Sequence, residues 1–244
     1  MYEWTSSAAK RIRKLGESNN VDESIERIIE RLLAGERKRP TDLQRLMETL
    51  GVSELVFDED LVVPGELRRV ADSLTIVLLP SLSEGRRRFT IAHELGHAIF
   101  ESTGPGCPRK GRELERLCDK LAATMLMPRS LFVDFIGPTV TLSRLFEAVR
   151  EFKVSLMSVV RRTCELYRVK AFEIDSGSVG WTYGMSNAMI AGALPSLSHV
   201  IEQAMAGSDG TRQVDIYVGA NQSRWNLEWR ILTPARRAVF LLTK

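Results

Sequence analysis

Apolar residues along this chain fall into blocks with two periods, one helical and one extended. Ile25, Ile28, Ile29, Leu32 and Leu33 recur at helical spacing after Asp22, which suits an N-cap, and Gly35 suits the end. The run Gly35-Glu36-Arg37-Lys38-Arg39-Pro40 reads as a charged, exposed link. Thr41 or Asp42 can cap a second short helix with Leu43, Leu46, Met47 and Leu50 inward, stopped at Gly51. From Val52 the pattern becomes extended. Residues 54–57, 61–70 and 74–79 read as strands, with Asp72-Ser73 as a turn and Pro64-Gly65 as a bulge or an edge. A small antiparallel sheet is therefore expected before the helix that follows Gly85.

Two longer helices come next, over about 86–100 and 113–127, the second closed by Pro128. Thr141 can cap a helix with Leu142, Leu145, Phe146, Val149 and Phe152 inward. Lys153-Val154 then turns the chain, and Ser155 caps a helix carrying Leu156, Val159, Val160 and Leu166, which together predict a helix-turn-helix-like pair. After Val169 the reading is strands at 170–174 and 179–183, a helix starting at Pro195, a turn at 207–210, and strands at 213–218, 225–232 and 237–243. The fold class is α+β. Three segments are expected: 1–137, 138–168 and a small α+β domain over 169–244, read as regulatory or sensor-like.

The first long helix contains His93-Glu94-Leu95-Gly96-His97. Residues four apart share one helical face, so the two imidazoles can converge on one cation. The glutamate beside the first histidine can then take a proton from a water activated there. With three histidines in 244 residues, a chance occurrence of this motif is expected in roughly three chains per thousand. A solvent-facing His/Glu helix is the bland alternative. Phe89, Ile91, Ala92, Leu95, Ala98, Ile99 and Phe100 argue against it, because they surround the motif with apolar positions and imply burial. Buried polar groups need partners.

A tetrahedral catalytic site needs a third protein ligand and an open position. The extended motif with a further Gly and His fails, because Phe100 and Thr103 occupy those places. On the next helix Leu114, Leu117, Leu121 and Met125 form one face, while Glu115 and Asp119, four apart, share another. Glu115 is read as the third ligand. Asp119 is read as the acceptor for the other ring N–H of a ligand histidine. Glu113 and Glu101 are rivals, and an exposed charged face is the bland reading of Glu115 and Asp119.

The run Arg87-Arg88-Phe89-Thr90-Ile91-Ala92-His93-Glu94-Leu95-Gly96-His97-Ala98 resembles the signature of the ImmA/IrrE family of metallo-endopeptidases. So does Glu115-Arg116-Leu117-Cys118-Asp119-Lys120-Leu121-Ala122-Ala123-Thr124-Met125-Leu126-Met127-Pro128. The likeness covers roughly residues 40–168, specific in the two metal helices and loose elsewhere. It implies a zincin-like domain with Glu115 as third ligand, Glu94 as catalytic residue and Zn2+ as cofactor, Mn2+ being the alternative. Asp119 stands where many members carry Asn. Family members act on transcriptional repressors and release stress-response or mobile-element genes. The resemblance therefore implies a protein substrate, a helix-turn-helix repressor.

Composition changes this picture little. Hydrophobic residues are 44%, enough for a real core, and the net charge of +3 is too weak alone to imply nucleic acid. Arg161 and Arg162 lie on the second helix of the pair, so a DNA-binding regulator is the competing reading, with packing against the peptidase favoured over it. An interaction scaffold with a structural metal is the third. Intact Glu94 favours the enzyme, since a structural site has no use for a general base. Cys107, Cys118 and Cys164 form no Cys-x-x-Cys pair, no run nears the ~20 apolar residues that span a bilayer, and the N-terminus has no secretory pattern. The expectation is a cytoplasmic protein. Cys107, between the metal helices, is read as an ordinary loop residue, with metal capping by its thiolate as the rival idea. His199 is read as a surface or packing residue, and Trp181, Trp225 and Trp229 as core.

Overall fold

A computed structural model describes residues 4–35, 39–70, 73–103, 108, 111–218, 221–232 and 237–244. The chain forms two compact units, one of residues 1–135 with 149–155, the other of 136–148 with 156–244.

The first unit opens with α1 (Ser7–Gly16), which the sequence reading passed over. Ser6 caps it, its hydroxyl accepting from Ala9 N–H at 3.1 Å. α2 (Val21–Leu33) is capped by Asn20 rather than Asp22. The two helices pack closely where Gly16 meets Ser24, since a Cβ on Gly16 would lie 2.3 Å from the Ser24 Cα. α3 (Leu43–Thr49) follows, with Asp42 accepting from Arg45 N–H.

The strands are β1 (Val52–Phe57), β2 (Gly65–Val70) and β3 (Ser73–Leu78), in the order β1-β3-β2. β2 pairs antiparallel with β3, but β1 pairs parallel with it. The expected all-antiparallel sheet is therefore corrected to a mixed one. The reason lies in β3. Leu74, Thr75, Ile76, Val77 and Leu78 are all buried, a continuous run suited to a central strand covered on both faces. β3 inserts between the two more exposed strands that precede it. The middle strand begins at Gly65, so the predicted extension back to Leu61 is not part of the ladder.

α4 (Glu84–Ser102) and α5 (Arg112–Leu126) pack together, and α6 (Arg129–Ile136) follows Pro128. Gly96 permits the close approach of α4 and α5, because a Cβ there would sit 3.1 Å from the Cys118 Cα. Phe152 is fully buried beside Phe132 and Phe135, with ring centroids 5.6 and 5.7 Å away.

The unit division falls inside α7 (Leu142–Phe152); α8 (Leu156–Leu166) lies in the second unit. There β4 (Lys170–Asp175), β5 (Ser178–Tyr183), β6 (Gly210–Val218), β7 (Asn221–Leu232) and β8 (Arg237–Thr243) form an antiparallel sheet ordered β5-β4-β8-β7-β6. α9 (Asn187–Met205) packs on one face. It starts eight residues before Pro195, which sits inside it, and this corrects the predicted start (195 − 187 = 8). Pro195 removes one helical hydrogen bond, yet Met189, Ala193, Leu197, Val200 and Ala204 are buried at three- and four-residue spacing and hold the helix. Phe172 and Phe240 stack at 4.6 Å in this core, and Trp225 and Trp229 are buried in it. The opposite face carries the start of α7. Glu228 accepts from Leu142 N–H at 2.8 Å, and the Arg230 guanidinium lies 5.8 Å from the Phe146 ring.

Candidate metal centre

α4 is buried mainly through its central stretch, residues 90–100, and its motif histidines are placed by ordinary helical geometry. His93 and His97 stand one turn apart, with ring centroids 5.2 Å apart and planes at 63°. Glu115, in the first turn of α5, completes the group. Its Oε2 lies 3.2 Å from His93 Nε2 and 3.7 Å from His97 Nε2. The three candidate ligand atoms all fall within 4.8 Å of one another. Ligand atoms on a tetrahedral ion at ~2.1 Å lie about 3.4 Å apart, so these residues fit a divalent cation. Mixed nitrogen and oxygen donors suit zinc and also tolerate manganese.

Asp119, one turn along α5, accepts from His93 Nδ1 at 2.9 Å. That contact fixes the tautomer and leaves the Nε2 lone pair toward Glu115. Burial disfavours the charged His93 ring. The Asp119 hydrogen bond and the charges of Glu94, Asp119 and Glu115 outweigh it, so the ring's pKa is raised above 6.5. Four carboxylate and imidazole side chains thus create a local demand for positive charge, which a cation satisfies as well as a proton does.

Glu94 is 6% exposed, a buried carboxylate next to His93. The rival acids are engaged elsewhere. Glu113 accepts from Ser6 N–H at 2.8 Å, and although burial pushes its carboxyl up, the Ser6 hydrogen bonds hold it below the usual range. Glu101 pairs with Arg69 at 2.6 Å. Cys107 lies outside the described residues. His199 is 67% exposed, 3.9 Å from Glu202, and on α9 of the other unit.

Sequence reasoning missed the flank of the site. β2 runs beside α4: Gly65 sits against Thr90, and Arg69 reaches Glu101, so the strand brackets both histidines. It also missed Lys120, which holds Asp22 at 2.8 Å, and Arg88, which donates to the Thr41 carbonyl at 2.8 Å. These link distant parts of the chain, and no local pattern announces them.

An H-E-x-x-H helix, a carboxylate from the next helix and a mixed sheet alongside define a zincin-like domain. Residues 57–163 match the IrrE N-terminal-like domain family, Peptidase_M78, and this segment belongs to it. No curated protein matches the chain. A solved structure described as a Mycobacterium tuberculosis transcriptional regulator has a TM-score of 0.58, with 97% of this chain and 80% of that chain covered at 17% identity. At that identity the likeness is one of fold. Among the described residues, no helix is long and apolar enough to cross a membrane.

Proposed function

We propose that the chain is a metal-dependent endopeptidase, zinc or manganese at His93, His97 and Glu115, acting on a helix-turn-helix transcriptional repressor or a similar regulatory protein. Cleavage would switch on stress-response or mobile-element genes. The observation that carries the reading is Glu94, a buried carboxylate beside a cluster that fits a cation. A bound divalent ion supplies Lewis acidity toward the scissile carbonyl and lowers the pKa of water. Glu94 takes the proton from the attacking water and later delivers one to the leaving amine. Asp119 holds His93 in the ligating tautomer.

β2 supports a peptide substrate. Among the described residues it is an edge of its sheet, and Leu79 N–H donates to the Pro64 carbonyl at 3.1 Å, which sets the ladder's phase. Residues 66, 68 and 70 then bond to β3, and the backbone groups of Gly65, Leu67 and Arg69 face outward. An extended peptide can add to that edge alongside the histidines.

The competing reading is a DNA-binding regulator. Arg162, one of the two arginines that suggested it, is 4% exposed and lies 3.6 Å from Glu165, a position that suits packing better than phosphate contact. The deciding experiment incubates wild-type and Glu94→Gln protein with repressors encoded nearby, with and without chelator. The variant should retain metal and lose cleavage. Normal cleavage by it would overturn the mechanism. A specific, salt-sensitive DNA complex lost in Arg161→Ala would favour the regulator.

A further inference from the structure

β2 meets the metal helix at two points. Its first residue, Gly65, is so close to α4 that a Cβ there would lie 2.5 Å from the Thr90 Cγ2. Near its other end Arg69 Nη2 donates to Glu101 Oε2 at 2.6 Å. A helix turns by about 100° per residue, so Thr90, Glu94, His97 and Glu101 fall within about 60° of one another around α4. The stripe that touches β2 at both ends therefore also carries Glu94 and His97. Side chains alternate along a strand, which puts Leu67 and Arg69 on the same face as Gly65, toward α4. Leu67 is then level with Glu94 and His97, and the Arg69 guanidinium stands about one helical turn beyond them.

Arg69 is half exposed, and an ion pair so placed adds little to stability. The contact with Glu101 runs through one terminal nitrogen of a planar group that has five N–H donors. A peptide added to the open edge of β2 would place the side chains of alternate residues on the face that Arg69 occupies. The chemistry there calls for a donor. When the oxygen of the attacking water adds to the scissile carbonyl carbon, Glu94 holds the water's proton and the carbonyl π pair moves onto its oxygen, which becomes an anion. Ionised Glu94, Glu115 and Asp119 can only accept hydrogen bonds. A guanidinium donates without giving up its proton, and its charge opposes that of the new anion.

Resting on the peptidase reading, we propose that Arg69 reaches from β2 to the scissile carbonyl oxygen of the substrate and stabilises it as it becomes an anion. The test uses full-length, metal-loaded protein and two probes titrated calorimetrically. Phosphoryl-leucyl-tryptophan carries charged tetrahedral oxygens where a peptide has its scissile carbonyl, and acetohydroxamate needs the cation alone. Arg69→Gln should bind the phosphoryl dipeptide about tenfold more weakly or worse and acetohydroxamate as wild type does, with metal content unchanged. Arg69→Lys, which keeps the charge and loses the fork, should fall between Arg69→Gln and wild type. Glu101→Gln removes the same ion pair from the other side, yet it should bind the phosphoryl dipeptide within about threefold of wild type, because the donor remains. The assignment is overturned if Arg69→Gln binds the phosphoryl dipeptide as tightly as wild type. It is overturned equally if Glu101→Gln loses as much affinity as Arg69→Gln, which would mark the pair as a structural tie between β2 and α4. These readouts need no cleaved substrate, so absence of turnover by wild-type protein faults the peptidase reading separately.

Discussion

Glu113 and Glu115 stand two residues apart on α5 and differ in role because of what faces them. One meets the backbone of Ser6 and the other meets two imidazoles. Metal analysis should therefore show Glu115→Ala protein empty and Glu113→Ala protein loaded; the opposite pattern would remove Glu115 as ligand. Asp119→Ala should retain the site but weaken metal affinity by about 10–100-fold, the usual effect of losing a histidine's supporting carboxylate. The raised pKa of His93 gives a pH test on the metal-free protein. A folded-state value above the unfolded one contributes stability that is fully present below the unfolded pKa of ~6.5 and is lost as pH rises through the folded value. Chelator-treated protein should thus lose melting temperature relative to His93→Gln as pH rises above ~6.5. An identical pH profile in the two would show that the ring is not held by these carboxylates. The residue chemistry of the site was legible in the sequence because its spacing follows helical geometry. The partners of Glu113 and Glu101 were not, since they come from α1 and β2.

The same contrast holds for the elements. α4, α5, α7 and α8 announced themselves through periodic apolar positions within two residues of their observed ends. α1 was missed although Ala8, Ala9 and Ile12 are buried, because small residues give a faint apolar stripe. The all-antiparallel expectation for the first sheet failed because strand pairing is non-local; the unbroken burial of β3 was the available clue. Pro195 was taken for a boundary on local chemistry that packing overrides. Two predictions belong to this scale. Gly96→Ala puts a methyl 3.1 Å from the Cys118 Cα, so α5 must shift. The variant should lose about 1–3 kcal/mol of stability by denaturant unfolding, and Glu115 should hold metal less tightly. Unchanged stability would mean that the helices yield freely. Leu67→Pro removes an outward backbone N–H from β2 without touching a ladder bond. Cleavage efficiency should fall about fivefold with metal content unchanged, in line with one lost hydrogen bond of ~1 kcal/mol. Normal cleavage by Leu67→Pro would place the substrate elsewhere.

At the scale of the whole chain, the question is how far the metal unit stands by itself. Every metal-site residue lies in the unit formed by 1–135 and 149–155. That unit recruits Phe152 into its core, against Phe132 and Phe135, and Val154 beside Gly85. A chain ending near residue 135 would lack them, and deletion of a buried phenylalanine alone costs about 3–5 kcal/mol. A chain ending near 169 would keep them. It would lose Glu228, which caps the start of α7, and Arg230, which covers Phe146. It would also uncover Val159, Val160 and Thr163 on α8, the helix that packs on β4 and β5. The proposed division into 1–137, 138–168 and 169–244 is thus testable by comparing the two truncations. The longer one should bind one equivalent of metal, unfold with a metal-dependent midpoint, and show α8 region amides exchanging faster than in the full chain. The shorter one should bind metal only weakly and melt at lower temperature. If the longer truncation cannot bind metal, the first unit depends on the second for its fold, and a separate regulatory role for 169–244 cannot be assigned by truncation. If it binds metal and cleaves the repressor at the full-length rate, that segment neither positions the substrate nor controls the peptidase.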